Sequence, residues 1–145
     1  MQESQPSPLQ QVESSMLSKA RDAVLRDGHW LTAEQVGALA RFDEGSASTQ
    51  LAKWLGGGQM FAVNHQGIDY FPAYGFDQQD SFRPLTSMAK VIETLGQSKD
   101  GWGLAYWFAS SNSFLGGRRP QDLLAVDPEA VVAAAMDELS GALHG

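Results

Sequence analysis

The three histidines, His29, His65 and His144, are the side chains of this sequence best suited to hold a metal or move a proton near neutral pH. They lie far apart and in different segments, and no two stand at the i, i+4 spacing that places two ligands on one helix face. They read as structural or solvent-exposed. The run Gly56-Gly57-Gly58 invites a phosphate-cradling loop, but such a loop needs Lys and Ser or Thr at the start of the next helix. Gln59-Met60 and a strand-like segment follow instead, so the run reads as a helix stop. Asp43-Glu44 and Asp137-Glu138 are adjacent in sequence, point in different directions, and have no base or nucleophile pattern beside them. Serines are frequent without a G-x-S-x-G elbow, and there is no cysteine to serve as nucleophile, disulfide or thiolate ligand. The residues therefore point to a binding protein rather than an enzyme, with no catalytic residue, cofactor or metal expected.

Whatever this chain binds must be presented by a small scaffold. Its 145 residues suit one compact domain, or two small units sharing an interface. A hydrophobic content of 43%, with aromatics spread along the chain, supplies a core, and 19% charged residues argue against disorder throughout. The formal charge of −7 and a pI near 4.7 count against strong non-specific binding to nucleic acid. The start, MQESQPSPLQQ, has neither the basic residues nor the apolar core of a signal peptide. No apolar run approaches the roughly 20 residues that span a bilayer. A cytoplasmic location with no membrane partner is the expectation.

Patterning divides the chain into a loose tail over 1–8, an N-terminal unit over 9–75 and a helical unit over 84–145. From Leu9, the apolar positions Val12, Met16, Ala20 and Val24 form one stripe of a helix that Asp27-Gly28 stops. Thr32 and Gln35 have capping-box spacing, with Leu31 and Val36 placed as a hydrophobic staple, so a short helix runs to about Ala40. Ser46 is a candidate cap for a second helix carrying Leu51, Trp54 and Leu55, ended by the three glycines. Met60–Val63, the turn Asn64–Gly67 and Ile68–Phe71 read as a β-hairpin. Two short helices and a hairpin are the order of a small winged helix-turn-helix.

Residues 75–83 read as a loop. A helix from Pro84 presents Leu85, Met88, Val91, Ile92 and Leu95 and ends at Gly96. Another, from Gly101 to Ala109, turns Leu104, Trp107 and Phe108 inward. The aromatic run from Trp102 to Phe108 could stack on bases, but at helical spacing it reads as core. Pro120 opens a brief helix with Leu123 and Leu124. Asp127-Pro128 then caps a last helix with Val131, Val132, Ala135, Met136 and Leu139 on its apolar side, and Gly141 leaves a short tail of small residues holding Leu143 and His144. The fold class is thus mainly α: a winged helix-turn-helix-like unit with one hairpin, followed by a helical C-terminal domain.

Two surfaces could recognise partners. In a helix-turn-helix the second helix offers polar side chains to base edges, which here are Ser48, Thr49 and Lys53, with Gln50 between them. Only Lys53 is basic. Toward the C-terminus, charge separates: every charged side chain after Arg119 is an acid, namely Asp122, Asp127, Glu129, Asp137 and Glu138. An acidic face of this kind complements a basic protein surface.

The stretch Trp107-Phe108-Ala-Ser-Ser-Asn112-Ser-Phe114-Leu115-Gly116-Gly117-Arg118-Arg119-Pro120-Gln-Asp122-Leu123-Leu124, then Asp127-Pro128-Glu129-Ala130-Val131, resembles the toxin-binding domain of the Xre/MbcA/ParS-type antitoxins. There a helix ends in an Asn-containing loop, a Leu-Gly-Gly-Arg-x-Pro turn opens a small helix with paired leucines, and a capped final helix follows. The likeness covers roughly Trp102 to the C-terminus, with these features in order.

The resemblance implies an antitoxin that binds and neutralises a cognate RES-domain toxin, a type that degrades NAD. It implies toxin contact through Asn112, Phe114, Arg118, Arg119, Asp137, Leu143 and His144, with the C-terminal end near the toxin's active site. Family members commonly carry an Xre-type DNA-binding domain in front and repress their own operon. Residues 32–74 depart from that pattern, being winged rather than all-helical. The expected partners are the toxin, operator DNA and a second copy of the chain in a homodimer. The rival expectation is a DNA-binding transcriptional regulator whose C-terminal domain dimerises or binds another protein.

Overall fold

The computed structural model describes residues 7–43 and 45–144, the last two, 143 and 144, by their backbone alone. Most of the expected tail over 1–8, and Glu44 of the Asp43-Glu44 pair, thus lie outside the described residues. Ser7 and Pro8 do not belong to a tail. Ser7 caps helix α1 (Pro8–Asp27) by accepting from the Gln10 N–H, while the Gln10 side chain accepts from the Ser7 N–H. The stripe along α1 corrects the sequence reading. Leu9, Val12 and Met16 are 68%, 55% and 65% exposed, and only Val24 and Leu25 near the end pack against the core. Periodicity shows that residues share a face, but not that anything covers it. The last turns of α1 are held by the Trp30 indole N–H on the Val24 carbonyl (3.2 Å), by Arg21 over the Trp102 ring and by Asp22 at 3.2 Å from His65.

Strand β1 (Trp30–Thr32) follows, then α2 (Ala33–Leu39), α3 (Ala47–Gly56), β2 (Val63–His65) and β3 (Ile68–Pro72), the three strands forming an antiparallel sheet in the order β1-β3-β2. The capping box forms as expected, Thr32 and Gln35 each accepting from the other's backbone N–H. Ser46 stands before α3 but makes no side-chain cap bond, because its own backbone is already helical. The hairpin is tighter than expected. Its turn is the pair Gln66-Gly67, both at positive φ (55° and 82°), which is the geometry that joins twisted strands in two residues. Strand pairing therefore reaches His65↔Ile68, and Met60 and Phe61 are buried ahead of the strand. The sequence reading missed β1, a strand of three residues.

After β3 the chain makes a 3-10 turn (Ala73–Gly75) and a two-stranded ribbon, β4 (Phe76–Asp77) with β5 (Arg83–Pro84), where a loop was expected. Pro84 does not open a helix. It pairs with Phe76, and Leu85 donates its N–H to the Gly75 carbonyl at 2.8 Å, so α4 starts at Thr86 and runs to Leu95. Asp100 caps α5 (Gly101–Ala109) by accepting the Gly103 N–H at 2.8 Å. A 3-10 turn (Ser113–Leu115), α6 (Pro120–Leu123) and α7 (Pro128–His144) complete the chain. The expected tail of small residues is replaced by helix: α7 runs through Gly141 to His144. A single glycine weakens a helix by only about 1 kcal/mol, too little to end one that already runs from Pro128 to Ser140.

The fold is mainly helical with small antiparallel sheets, and its buried side chains form one cluster from Val36 to Ala135. Aromatics carry it across the middle: Phe108 stacks on Phe61 at 5.9 Å and meets Tyr74 at 5.0 Å, while Phe76 packs between Trp54 and Phe82. Helix α4 lies against α7, with Met88, Val91 and Leu95 buried on one and Val131 and Ala135 on the other. Met136, expected on the apolar side of α7, is 61% exposed. No helix among the described residues is long and apolar enough to cross a membrane.

Candidate functional site

The turn between α5 and α6 is built by its glycines. Gly116 and Gly117 adopt φ of 69° and 88°, in the left-handed region that side-chain-bearing residues resist. This folds the chain back so that Asn112 N–H donates to the Arg118 carbonyl (3.0 Å) and Gly117 N–H to the Asn112 carbonyl (2.8 Å). The Asn112 side chain accepts from the Phe114 N–H at 2.9 Å, capping the short turn that follows. With its backbone held, Phe114 stands 50% exposed at the apex.

Beside this turn a groove of about 470 Å³ runs between the C-terminal half of α5 and the flank of α7. Asn112 and Asp137, far apart in sequence, line it together with Tyr106, Trp107 and Glu138. Trp107 is only 8% exposed, and its Nε1 has no hydrogen-bond partner; the buried hydroxyl of Tyr106 also lacks one. A buried donor left unpaired costs about 1–3 kcal/mol, so both groups weigh against the stability of this corner of the fold. The edge along α7 is acidic, where Asp137 is exposed and Glu138 is 3.2 Å from Lys99 Nζ. The groove thus carries carboxylates on its rim and polar side chains from the turn, which suits a protein segment presenting a basic side chain.

The other residues expected at a toxin surface are dispersed. Arg118 is exposed on the glycine turn. Arg119 turns back on its own protein, donating to Asp122 at 2.9 Å and to Asp27 of α1. The hydrogen bond with Asp122 is the main cause that raises its pKa further. Leu143 and His144 are helical in backbone, and their side chains lie outside the described residues. Ser48, Thr49 and Lys53 share the exposed face of α3, opposite buried Leu51 and Trp54. Among the described residues no group of three or more His, Asp or Glu side chains gathers as a metal site would require.

The sequence reading placed Trp107 in the core and passed over Tyr106. Burial of the Trp107 ring is as expected; the isolation of its N–H is not. The one signal available was position: both aromatics carry a polar group and occupy the last turn of a helix that faces a serine-rich loop. Compared with protein-family models, curated proteins and solved structures, the chain matches none of them.

Proposed function

We propose that this chain is an antitoxin that binds a RES-domain, NAD-degrading toxin and inhibits it through its C-terminal helices. The observation that carries the reading is the groove beside the glycine turn, where Asn112 from the turn and Asp137 from α7 line one surface next to the exposed Phe114 and an acidic helix flank. An exposed aromatic beside polar groups that converge on a groove supports a protein-binding surface. The resemblance of Trp102 to the C-terminus to the Xre/MbcA/ParS toxin-binding domain supplies the partner class. Asn112, Phe114, Arg118 and Asp137 are the proposed contacts. Leu143 and His144, at the end of α7, are the proposed block of the toxin's active site, now as a helix end rather than a loose tail. Arg119 is the positioning residue that ties the turn to Asp27 and Asp122.

Co-expression of the full chain with a RES-domain toxin encoded beside it tests this. The two should co-purify, and cellular NAD should be preserved. A chain that neither captures the toxin nor protects NAD removes the reading. Replacing Leu143 and His144 by serine should keep the complex yet leave measurable NAD consumption; a fully silent complex would put inhibition in the helical body instead.

A second reading rests on a separate observation. The order α1-β1-α2-α3-β2-β3, with sheet order β1-β3-β2, supports reading this unit as a winged helix-turn-helix, and α3 leaves Ser48, Thr49 and Lys53 exposed, as the recognition helix of that reading requires. In this reading the chain also represses transcription, as a homodimer on its operator. Affinity for upstream DNA should fall steeply with salt, and Lys53→Glu should weaken binding to all sequences and flatten that dependence by about one phosphate contact. No mobility shift at low salt, with toxin present, would end the repressor role.

A further inference from the structure

Helix α1 carries an apolar stripe that no other described residue covers. None of its residues is buried; Leu9, Val12 and Met16 are exposed, and Ala20 and Ala23 continue the same line and are exposed too. At about 100° per residue, this line lies on the side of the helix opposite Arg21, Asp22 and Leu25. Those three attach α1 to the body, with Arg21 over the Trp102 ring, Asp22 beside His65 and Leu25 against the core. The stripe therefore faces outward along the helix, over about 21 Å from Leu9 to Ala23.

Charge and residue size decide what fits this face. The chain carries a formal charge of −7, so two copies repel one another over most of their surfaces. From Ser7 to Ser18, however, the single charged side chain is Glu13. The stripe is also complementary to itself. Positions equally far from Met16 hold Leu9 and Ala23, Val12 and Ala20, and Glu13 and Lys19. Two such helices laid antiparallel, with both Met16 side chains on a two-fold axis, set each large aliphatic residue against an alanine. The same register brings each Glu13 level with the partner's Lys19. A parallel pair would instead set Leu9 on Leu9, Glu13 on Glu13 and Lys19 on Lys19, crowding the first and repelling the others.

From this self-complementarity we propose that α1 is the surface through which two copies of the chain pair, as an antiparallel helix dimer centred on Met16. One helix pair is a small interface, at the low end for specific association, so the dimer forms with a Kd on the order of 10 µM. The repressor reading uses a homodimer and would find its interface here, but the pairing itself requires neither DNA nor toxin.

Sedimentation equilibrium of the full-length protein alone should show a monomer–dimer exchange near that Kd. Met16→Glu places two like charges on the two-fold axis and should raise the Kd roughly tenfold or more. Because Met16 is exposed, the variant should keep the parent melting temperature under conditions where both are monomers. Glu13→Lys should weaken pairing several-fold, and Glu13→Lys with Lys19→Glu in one chain should recover the parent Kd. The chain has no cysteine, so introduced thiols report the register. Under mild oxidation, a mixture of the Leu9→Cys and Ala23→Cys proteins should form crossed disulfide dimers, and neither protein alone should link to itself. The proposal is overturned if the protein stays monomeric far above that Kd, if Met16→Glu pairs as the parent does, or if Leu9→Cys links to itself. A stripe that serves a lipid surface would leave the protein monomeric and carry it onto phosphatidylcholine–phosphatidylglycerol vesicles, which equally overturns self-pairing. Pairing is measured without toxin or DNA, so this inference and the readings above fail separately.

Discussion

Trp107 divides its work between two parts of one side chain. The ring packs edge-on to Phe108 and anchors α5, while the indole N–H, which can only donate, is shut away from both water and protein. Removing that N–H while keeping a ring isolates its cost. Trp107→Phe should change the melting temperature only slightly and Tyr106→Phe should leave or raise it, while Asp137→Ala on the groove's rim should weaken partner binding several-fold. Calorimetric titration beside thermal melts reads both; parent-like binding by the Asp137 variant would make the groove incidental. Tyr74 gives a different residue-scale prediction. Burial pushes its phenol well above the usual tyrosine range, and its hydroxyl also lacks a partner. The folded state therefore favours the protonated form, so stability is level below about pH 10 and falls as pH rises through the unfolded value. Tyr74→Phe should leave or raise the melting temperature at pH 7 and blunt the loss above pH 10. A variant as sensitive to alkali as the parent would mean another group is responsible.

Glycine tests the elements cleanly, because a Cβ added at Gly117 or at Gly141 meets nothing within 4 Å and only the backbone distinguishes them. Gly117 sits at φ +88° in the turn before α6, so Gly117→Val should destabilise by about 1–2 kcal/mol. Gly141 lies inside α7, so Gly141→Ala should stabilise by about 0.5–1 kcal/mol. Melting temperatures that move the same way in both variants would contradict the assigned conformations. The sequence made the glycine turn, the capping box of α2 and the inward face of α5 legible, because each depends on residues close in the chain. It did not show β1, whose pairing with β3 is set by a strand far away in sequence, or the β4–β5 ribbon, whose two-residue strands are too short to carry an alternating pattern. Nor did it show that the first turns of α1 lie open, since nothing in Leu9, Val12 and Met16 themselves records an absent neighbour. Part of the candidate groove was readable for the same reason. Asn112 could be named from a motif and Asp137 from the acidic run after Arg119, but the isolation of two aromatic polar groups exists only in three dimensions.

At the scale of the molecule, both candidate surfaces hang on one core. The groove at Trp107 is floored by α5, and the exposed face of α3 rests on Leu51 and Trp54; Phe108, packed on Phe61 and Tyr74, and Phe76, packed on Trp54, belong to one buried cluster under both regions. Phe108 is fully buried and touches rings from β2's approach, the turn after β3 and its own helix, so no cut through the chain separates its neighbours into two independent sets. Unfolding should then be a single transition, seen alike by tryptophan fluorescence and far-ultraviolet circular dichroism. Phe108→Ala opens a cavity at that junction and should cost about 3–5 kcal/mol, a large share of the total for a domain of this size. Its effect should be shared: amide protection in β3 and in α7 should fall together, although neither strand nor helix contains the substituted residue. If β3 keeps its protection while α7 loses it, the N-terminal unit is stable alone and the two surfaces evolved on separable supports. If both fall in step, a partner that tightens α5 and α7 also stabilises α3, which gives protein binding a physical route to the face proposed for DNA.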